Sequence, residues 1–207
     1  ISVIDAPECI GMEESPAAAL KGKPRSSIHV GIGAVRDGHA DAFASAGNTG
    51  AVMAAATVLL GRLPGVLRPA IPGIFPTTGG SCLVVDVGAN VDCKPEHLVQ
   101  FARMGSIFVE NVYGIEQPTV GLLNIGSEVG KGNTFVGAAF KLLEQDTSIN
   151  FHGNVEVKDI FFGTTSVVVT DGFTGNVALK SAEGALRMFK TVLKKEIRRS
   201  TRAKAGY

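Results

Sequence analysis

The sequence carries almost no net charge, +1 over 207 residues, only three cysteines, and no uninterrupted apolar run long enough to span a bilayer. Each shortage excludes a class. Without a large excess of one sign there is no global field that commits the chain to nucleic acid. Cys9, Cys82 and Cys93 are odd in number, lack metal-ligand spacing, and sit in a chain too long to need disulfide staples. The expectation is therefore a reducing cytoplasm, with no metal and no disulfide framework. No signal-peptide pattern opens the sequence, and the expectation is a soluble protein, or at most one peripheral at the inner face of a membrane. Ile1 begins directly on the strand-like "ISVIDAPECIGM", and "TRAKAGY" stops inside a basic helical pattern without a cap. Both ends read as cut, so a fragment lacking N- and C-terminal segments is expected.

What is present is a core: 45% of the residues are hydrophobic, enough to bury a sizeable interior. Apolar runs of strand length alternate with segments of helical period, the pattern of βα units on a largely parallel sheet. "ADAFASAG" leads through Gly47, Asn48, Thr49 and Gly50 into "AVMAAATVLLGRL". "CLVVDVG" leads through "ANVDCK" into "PEHLVQFARMGSIFVENV", where Pro95 and Glu96 suit a first helical turn. "TVGLLNIG" leads through "SEVGKGN" into "TFVGAAFKLLEQ". After the strand-like "INFHGNVE", "SVVVTDG" leads through "FTGN" into a long helix from about Val177. The pattern reads as a single α/β domain over residues 1–207.

Four of these strand ends share one chemical style. Each loop has glycine, and each carries asparagine with a carboxylate or lysine nearby: Asn48; Asp86, Asn90, Asp92 and Lys94; Asn124, Glu128, Lys131 and Asn133; Asp171, Thr174 and Asn176. In an open α/β sheet the ligand sits outside the carboxyl ends of the strands, so the four loops are expected to converge on one crevice. Glycine-rich turns bring backbone N–H groups close to a ligand, and helices starting there add positive dipole ends, which favours a small anion such as phosphate. Glycine and asparagine are also ordinary turn and cap residues; the argument rests on four similar loops, not on any one.

Several near-motifs fail. "GSEVGKG", from Gly126 to Gly132, is one residue short of a phosphate-binding Walker loop and has glycine where Ser or Thr should meet magnesium. "GIGAVRDG", from Gly31 to Gly38, has two glycines of a dinucleotide fingerprint but Arg36 at the third. His97 could act as a base, though a lone helical histidine is more often structural. Cys93 has no histidine adjacent in sequence to activate it as a nucleophile.

Taken together, "SAGNTGA", "DVGANVDCKPEHLVQFARMGS", "GLLNIGSE" with "KGN", and "VVVTDGFTGNVALK" resemble the phosphate acyltransferase (PlsX) family of bacterial phospholipid synthesis. The resemblance implies transfer of a fatty acyl group from acyl carrier protein to inorganic phosphate. It also implies a three-layer α/β/α sandwich with a mostly parallel sheet, similar to phosphotransacetylase and isocitrate dehydrogenase-like folds, in a homodimer without cofactor or metal. Phosphate is itself the attacking group, so the protein must hold it against a thioester and stabilise the oxyanion. Lys94 is the first choice for that task, with Asn133 as a neutral donor and Asp86 and Glu128 as orienting carboxylates. Gly47, Asn48, Thr49, Gly50, Asn90, Lys131, Gly132, Asp171, Thr174, Gly175 and Asn176 are expected to line the phosphate and acyl sites. For Asp86 and Asp171, capping of the next loop's N–H groups is an equal alternative.

Two other function classes fit parts of the pattern: a short-chain acyl-CoA phosphotransacetylase-like enzyme, and a non-catalytic protein docking on membrane or carrier protein. The last bears on the C-terminal segment, where Arg187, Lys190, Lys194, Lys195, Arg198, Arg199, Arg202 and Lys204 gather. At helical period Ala182, Leu186, Phe189, Val192, Leu193 and Ile197 share one face and most basic residues the other. Such a helix packs by its apolar face and offers its basic face to an acidic carrier protein or an anionic bilayer.

Overall fold

The computed structural model describes residues 2–199, apart from the side chain of Arg199. The chain divides into two compact units, one up to Pro69 and one from Ala70 onward, where the sequence pattern reads as one domain.

The first unit is helical. Its elements are α1 (Pro16–Gly22), α2 (Ser27–Arg36) and α3 (Thr49–Leu59). Ile10, Ala19, Ile28, Ile32, Ala51 and Ala55 form its core; the alanines of α3, one turn apart, keep that face slim enough for close helix packing. The expected strands at "ISVIDAPECIGM" and "ADAFASAG" do not form. Among the described residues of this unit, strand-like pairing is limited to one bridge, Glu8 with Ser26. An extended segment without a neighbouring strand has no ladder to satisfy its backbone. Gly31 and Gly33 lie inside α2, not in a strand-to-helix turn, so "GIGAVRDG" has no phosphate-cradling geometry.

The second unit is a mixed α/β fold with a mostly parallel sheet. The strands are β1 (Pro72–Thr77), β2 (Gly80–Val85), β3 (Thr119–Leu123), β4 (Asn150–Val155) and β5 (Val167–Val169), in the order β1-β2-β5-β3-β4. β1 pairs antiparallel with β2, and all other pairs are parallel. The helices are α4 (Pro95–Tyr113), α5 (Thr134–Gln145), α6 (Val157–Phe162) and α7 (Gly172–Arg199). Side-chain alternation along the strands builds a core on each face. Leu83, Val85, Val120, Leu122, Val167 and Val169 pack with Leu98, Phe101 and Val109 of α4 and Ala139 and Leu143 of α5. Cys82, Val84, Val155 and Val168 pack on the other face with Ile160 of α6 and with Leu179 and Ala182 of α7. The three central strands are buried on both sides, which is why "CLVV", "VGLL" and "VVV" read as continuous apolar runs.

β1 is not legible in the sequence because Pro72 and Pro76 argue against a strand. The short α1, α2 and α6 give too few turns for a clear period. α7 starts at Gly172, ahead of Val177, because the glycines of "DGFTGN" hide the helix's first turns. Among the described residues no helix is long and apolar enough to cross a membrane.

One ion pair ties the helical layer together. Arg103 Nε of α4 donates to Asp146 Oδ2 at 2.8 Å, just past α5, and Asp146 Oδ1 also accepts from Ser148 N at 3.0 Å and Ser148 Oγ at 2.6 Å. The Arg103 guanidinium, backed by Ser148, holds the Asp146 carboxyl down at about 2. A depressed carboxyl stabilises the fold above its unfolded value and loses that contribution as pH falls through the folded value. Because Arg103 is half in solvent, Asp146→Asn is expected to cost only about 1 kcal/mol at neutral pH. The deficit should shrink as pH drops from about 4 toward about 2. Urea unfolding of both proteins across that range measures it; a deficit independent of pH would rule the ion pair out as its source.

Candidate active site at the C-terminal edge of the sheet

β2, β5 and β3 are adjacent and parallel, so the segments that follow them leave from one edge of the sheet. α4, α5 and α7 begin in those segments, which brings three helix N-termini, each with free N–H groups and a positive dipole end, to one edge. Three of the four loops singled out in the sequence are therefore on one side of the second unit.

The first of them is organised by Asp86. Its side chain is fully buried, and its oxygens accept five hydrogen bonds, all from neutral N–H groups. Oδ1 takes the amides of Ile71 (3.0 Å), Gly88 (3.2 Å) and Ala89 (2.9 Å), and Oδ2 takes the amide and Nδ2 of Asn90 (2.7 and 2.8 Å). Asn90 in turn accepts from the Gly172 amide at 2.7 Å through its own carbonyl. The first turn of α7 lies directly on this structure. A Cβ at Gly175 would stand 1.9 Å from the Asp86 carbonyl oxygen, and one at Gly172 would stand 2.8 Å from both N and O of Asn90. The glycine spacing of "DGFTGN" thus follows from steric contact along one helix face. Asp171 caps α7, accepting from Thr174 N at 2.8 Å and Thr174 Oγ1 at 2.7 Å. Asn176 is exposed one turn further, beside Gly88.

The second loop, residues 124–133, is held by side-chain amides. Asn124 donates to the Lys131 carbonyl at 2.9 Å and accepts from the Ile125 amide at 2.8 Å. Asn154 of β4, buried and not anticipated from the sequence, donates to the Glu128 carbonyl at 3.0 Å. Gly132 has φ +91° and sits against Asn124, a conformation and a contact that exclude a side chain. The Glu128 carboxylate and the Lys131 stem both lie against Gly126. Asn133 caps α5, its Oδ1 accepting from Val136 N at 2.9 Å.

Lys94 is the N-cap residue of α4. Its amide donates to His97 Nδ1 at 3.1 Å, so that ring nitrogen carries no proton, and His97 is buried within the helix start. Cys93 is half-buried against the core, its Sγ 3.5 Å from the Asn90 carbonyl. The lysines differ from these neighbours. Among the described residues Nζ of neither Lys94 nor Lys131 makes a hydrogen bond or ion pair, and both side chains are exposed.

A cleft of about 500 Å³ opens between the starts of α5 and α7. Asn124, Gly132, Asn133, Thr170, Asp171 and Thr174 are its polar lining, while Leu98, Leu123, Phe135 and Val136 are among its apolar lining. Lys94 lies one helical turn before Leu98, and Lys131 directly precedes Gly132. The apolar lining residues were not anticipated as part of a site; their only signal is an apolar position in the first turns of helices that follow the polar loops.

The fourth expected loop belongs to the first unit. Asn48 is buried and caps α3, its Oδ1 accepting from Ala51 N at 3.0 Å. Its Nδ2 donates to the carbonyls of Gly11, Met12 and Glu14 at 3.1, 3.2 and 3.0 Å. Gly47 donates its amide to Ser45 Oγ at 3.1 Å, Thr49 is exposed at the helix start, and a Cβ at Gly50 would meet Pro16 at 2.7 Å. On α7, Lys190, Lys194, Lys195 and Arg198 are exposed and line a shallow groove with Thr191. The Arg199 side chain, Arg202 and Lys204 lie outside the described residues.

Comparison with known proteins places these features in context. The sequence matches a family model described as "Fatty acid synthesis protein" over residues 1–207. It is 51% identical over 199 residues to the phosphate acyltransferase of Salinibacter ruber, covering 96% of this chain and 59% of that relative. With the phosphate acyltransferase of Halothermothrix orenii it shares 56% identity over 186 residues, 89% of this chain and 56% of that relative. The chain thus spans about three fifths of the length of the curated relatives it matches. Two solved structures are similar in fold, each at TM-score 0.58 and 18% identity. The EutD phosphotransacetylase of Staphylococcus aureus covers 78% of this chain over 56% of its own, and a phosphotransacetylase of Streptococcus pyogenes covers 86% over 63%. At that identity the likeness concerns the fold alone.

The Asp86 turn is expected to act on stability before chemistry. Asp86→Ala strands several buried amides and should cost about 3 kcal/mol. Gly175→Ala forces α7 away from the turn and should cost about 2 kcal/mol. Thermal unfolding by circular dichroism checks both, and a melting temperature within about 2 °C of the parent for either would contradict this account.

Proposed function

The chain belongs to the fatty acid synthesis protein family, and from that premise we propose that it carries the phosphate side of an acyltransferase site, where inorganic phosphate takes a fatty acyl group from acyl carrier protein. The observation that carries this reading is the pairing of two lysines whose Nζ makes no hydrogen bond or ion pair among the described residues, Lys94 and Lys131, with three helix N-termini on one sheet edge. Such a set suits a small multivalent anion. The names of the curated relatives, phosphate acyltransferases at about half identity, support the same reading.

In the reaction, an oxygen of hydrogen phosphate bonds to the thioester carbonyl carbon, negative charge builds on the carbonyl oxygen, and the carbon–sulfur bond breaks. The phosphate proton passes to the departing thiolate, so acyl phosphate and free carrier thiol leave. The nucleophile comes from the substrate, and the protein's task is to position phosphate and stabilise the oxyanion. Lys94 would fix phosphate beside the start of α4, Lys131 would add a second charge, and the amides at Gly132 and Asn133 would face the developing oxyanion. Glu128, against the same glycine as Lys131, would orient that lysine.

The rest of the molecule supports a partner surface on α7. Beyond Ala182 its apolar stripe is uncovered in the single chain, Leu186 being 58% and Phe189 64% exposed. A second copy of the chain is the occupant that fits a homodimer. The basic groove of Lys190, Lys194, Lys195 and Arg198 would then face an acidic carrier protein or the anionic inner surface of a membrane, giving a cytoplasmic protein with peripheral contact.

Phosphate-dependent release of thiol from acyl-carrier protein by the complete protein tests the reaction. Lys94→Ala should abolish turnover with the melting temperature unchanged, since an exposed loop side chain carries no packing. Activity within a few-fold of the parent would remove Lys94 from the site, and faster turnover with coenzyme A thioesters would point instead to a phosphotransacetylase. Lys194→Glu with Arg198→Glu should weaken carrier-protein use or liposome association in a salt-sensitive way while leaving the phosphate KM unchanged. Parent-like binding of both at low salt would reduce that face to solvated surface.

A further inference from the structure

The cleft beside the polar loops has a mixed lining, half polar and half apolar. Its hydrogen-bonding groups come from Asn124, Gly132, Asn133, Thr170, Asp171 and Thr174. The other lining residues are apolar: Leu98 and Leu123 are buried, Phe135 and Val136 are half-buried on α5, and Val157 stands at the start of α6. Ile125, another lining residue, is 81% exposed. A phosphate ion alone has no use for the apolar half. An occupant with a polar head and a hydrocarbon tail uses both halves.

We infer that this cleft holds the hydrocarbon chain of the acyl donor next to its thioester, and that Val136 and Val157 set the length of chain accepted. The inference rests on the acyl-transfer reading above and adds where the tail lies and what limits it. Val136 is suited to the role because its backbone is fixed: its amide is the one that caps on Asn133 Oδ1 at 2.9 Å. A larger side chain there cannot retreat with the helix and must occupy the cleft. Val157 holds the α6 side of the same space, 41% exposed, so enlargement there narrows the cleft without disturbing the core. Apolar pockets discriminate by size, with roughly tenfold or more for each methylene that fails to fit.

The test compares palmitoyl and hexanoyl thioesters of acyl carrier protein as donors for the complete protein, reading kcat/KM for phosphate-dependent thiol release, alongside binding of a fluorescent long-chain fatty acid. Val136→Phe and Val157→Phe are each expected to lower the palmitoyl-to-hexanoyl ratio at least about tenfold and to weaken fatty-acid binding in step. Val136→Ala, which opens the cleft, should raise the ratio. A ratio within twofold of the parent in all three variants, or a parallel fall for both donors, overturns the inference. If the parent binds the fatty acid and the Phe variants do not, yet no donor yields thiol, the tail site stands and the transfer reading fails.

Discussion

The candidate site depends on one buried carboxylate. Asp86 directly follows β2 inside the protein and gathers amide donors from both sides along the chain, Ile71 before β1 and the run Gly88 to Asn90 after β2. A buried charge is tolerated only where its lone pairs are filled, and here neutral N–H groups fill them. The result is a rigid knob at the strand end. Because Asn90 then accepts from Gly172, and Gly175 lies on the Asp86 carbonyl, the direction of α7 is set by the shape of that knob.

The loops consequently divide their polar residues into two groups. Asp86, Asn90, Asn124, Asn133 and Asp171 hydrogen-bond within the backbone they shape. Lys94 and Lys131 are exposed on the resulting frame, and among the described residues their Nζ atoms have no partner. A frame rigidified by its own amides can hold cations at fixed positions without neutralising them, which preserves their field for an incoming anion. The helix N-termini add to that field from the same side.

Much of the second unit is legible in sequence, because a strand buried on both faces reads as an apolar run and "GANVDCKP", "GSEVGKGN" and "DGFTGN" punctuate the runs. What escapes has identifiable causes. β1 carries two prolines. "ADAFASAG" has strand composition but no strand to pair with, a fact of tertiary structure that no local window contains. Among the candidate residues, the types that suit a phosphate are also those that cap helices and pin turns, so sequence alone identifies Asn48, Asn133 and Asp171 as polar loop residues without fixing which way their oxygens face. The apolar lining is harder still, since Val136 and Leu98 look like any first-turn core position until the cleft beside them is seen.

The sheet also ends differently at its two borders. On one side lies β1, whose Pro72 and Pro76 supply no N–H, and prolines persist in a strand only where that donor would face outward. On the other lies β4, where the register with β3 shifts between Val120 and Gly121 and Gly153 takes φ +114°, an irregularity that twists the outer edge. Neither border offers a straight row of donors and acceptors to a strand from another molecule. Contact between copies of this unit is thereby steered away from sheet extension, the geometry that leads to open-ended stacking, and toward helical surfaces that can close on themselves as a finite assembly.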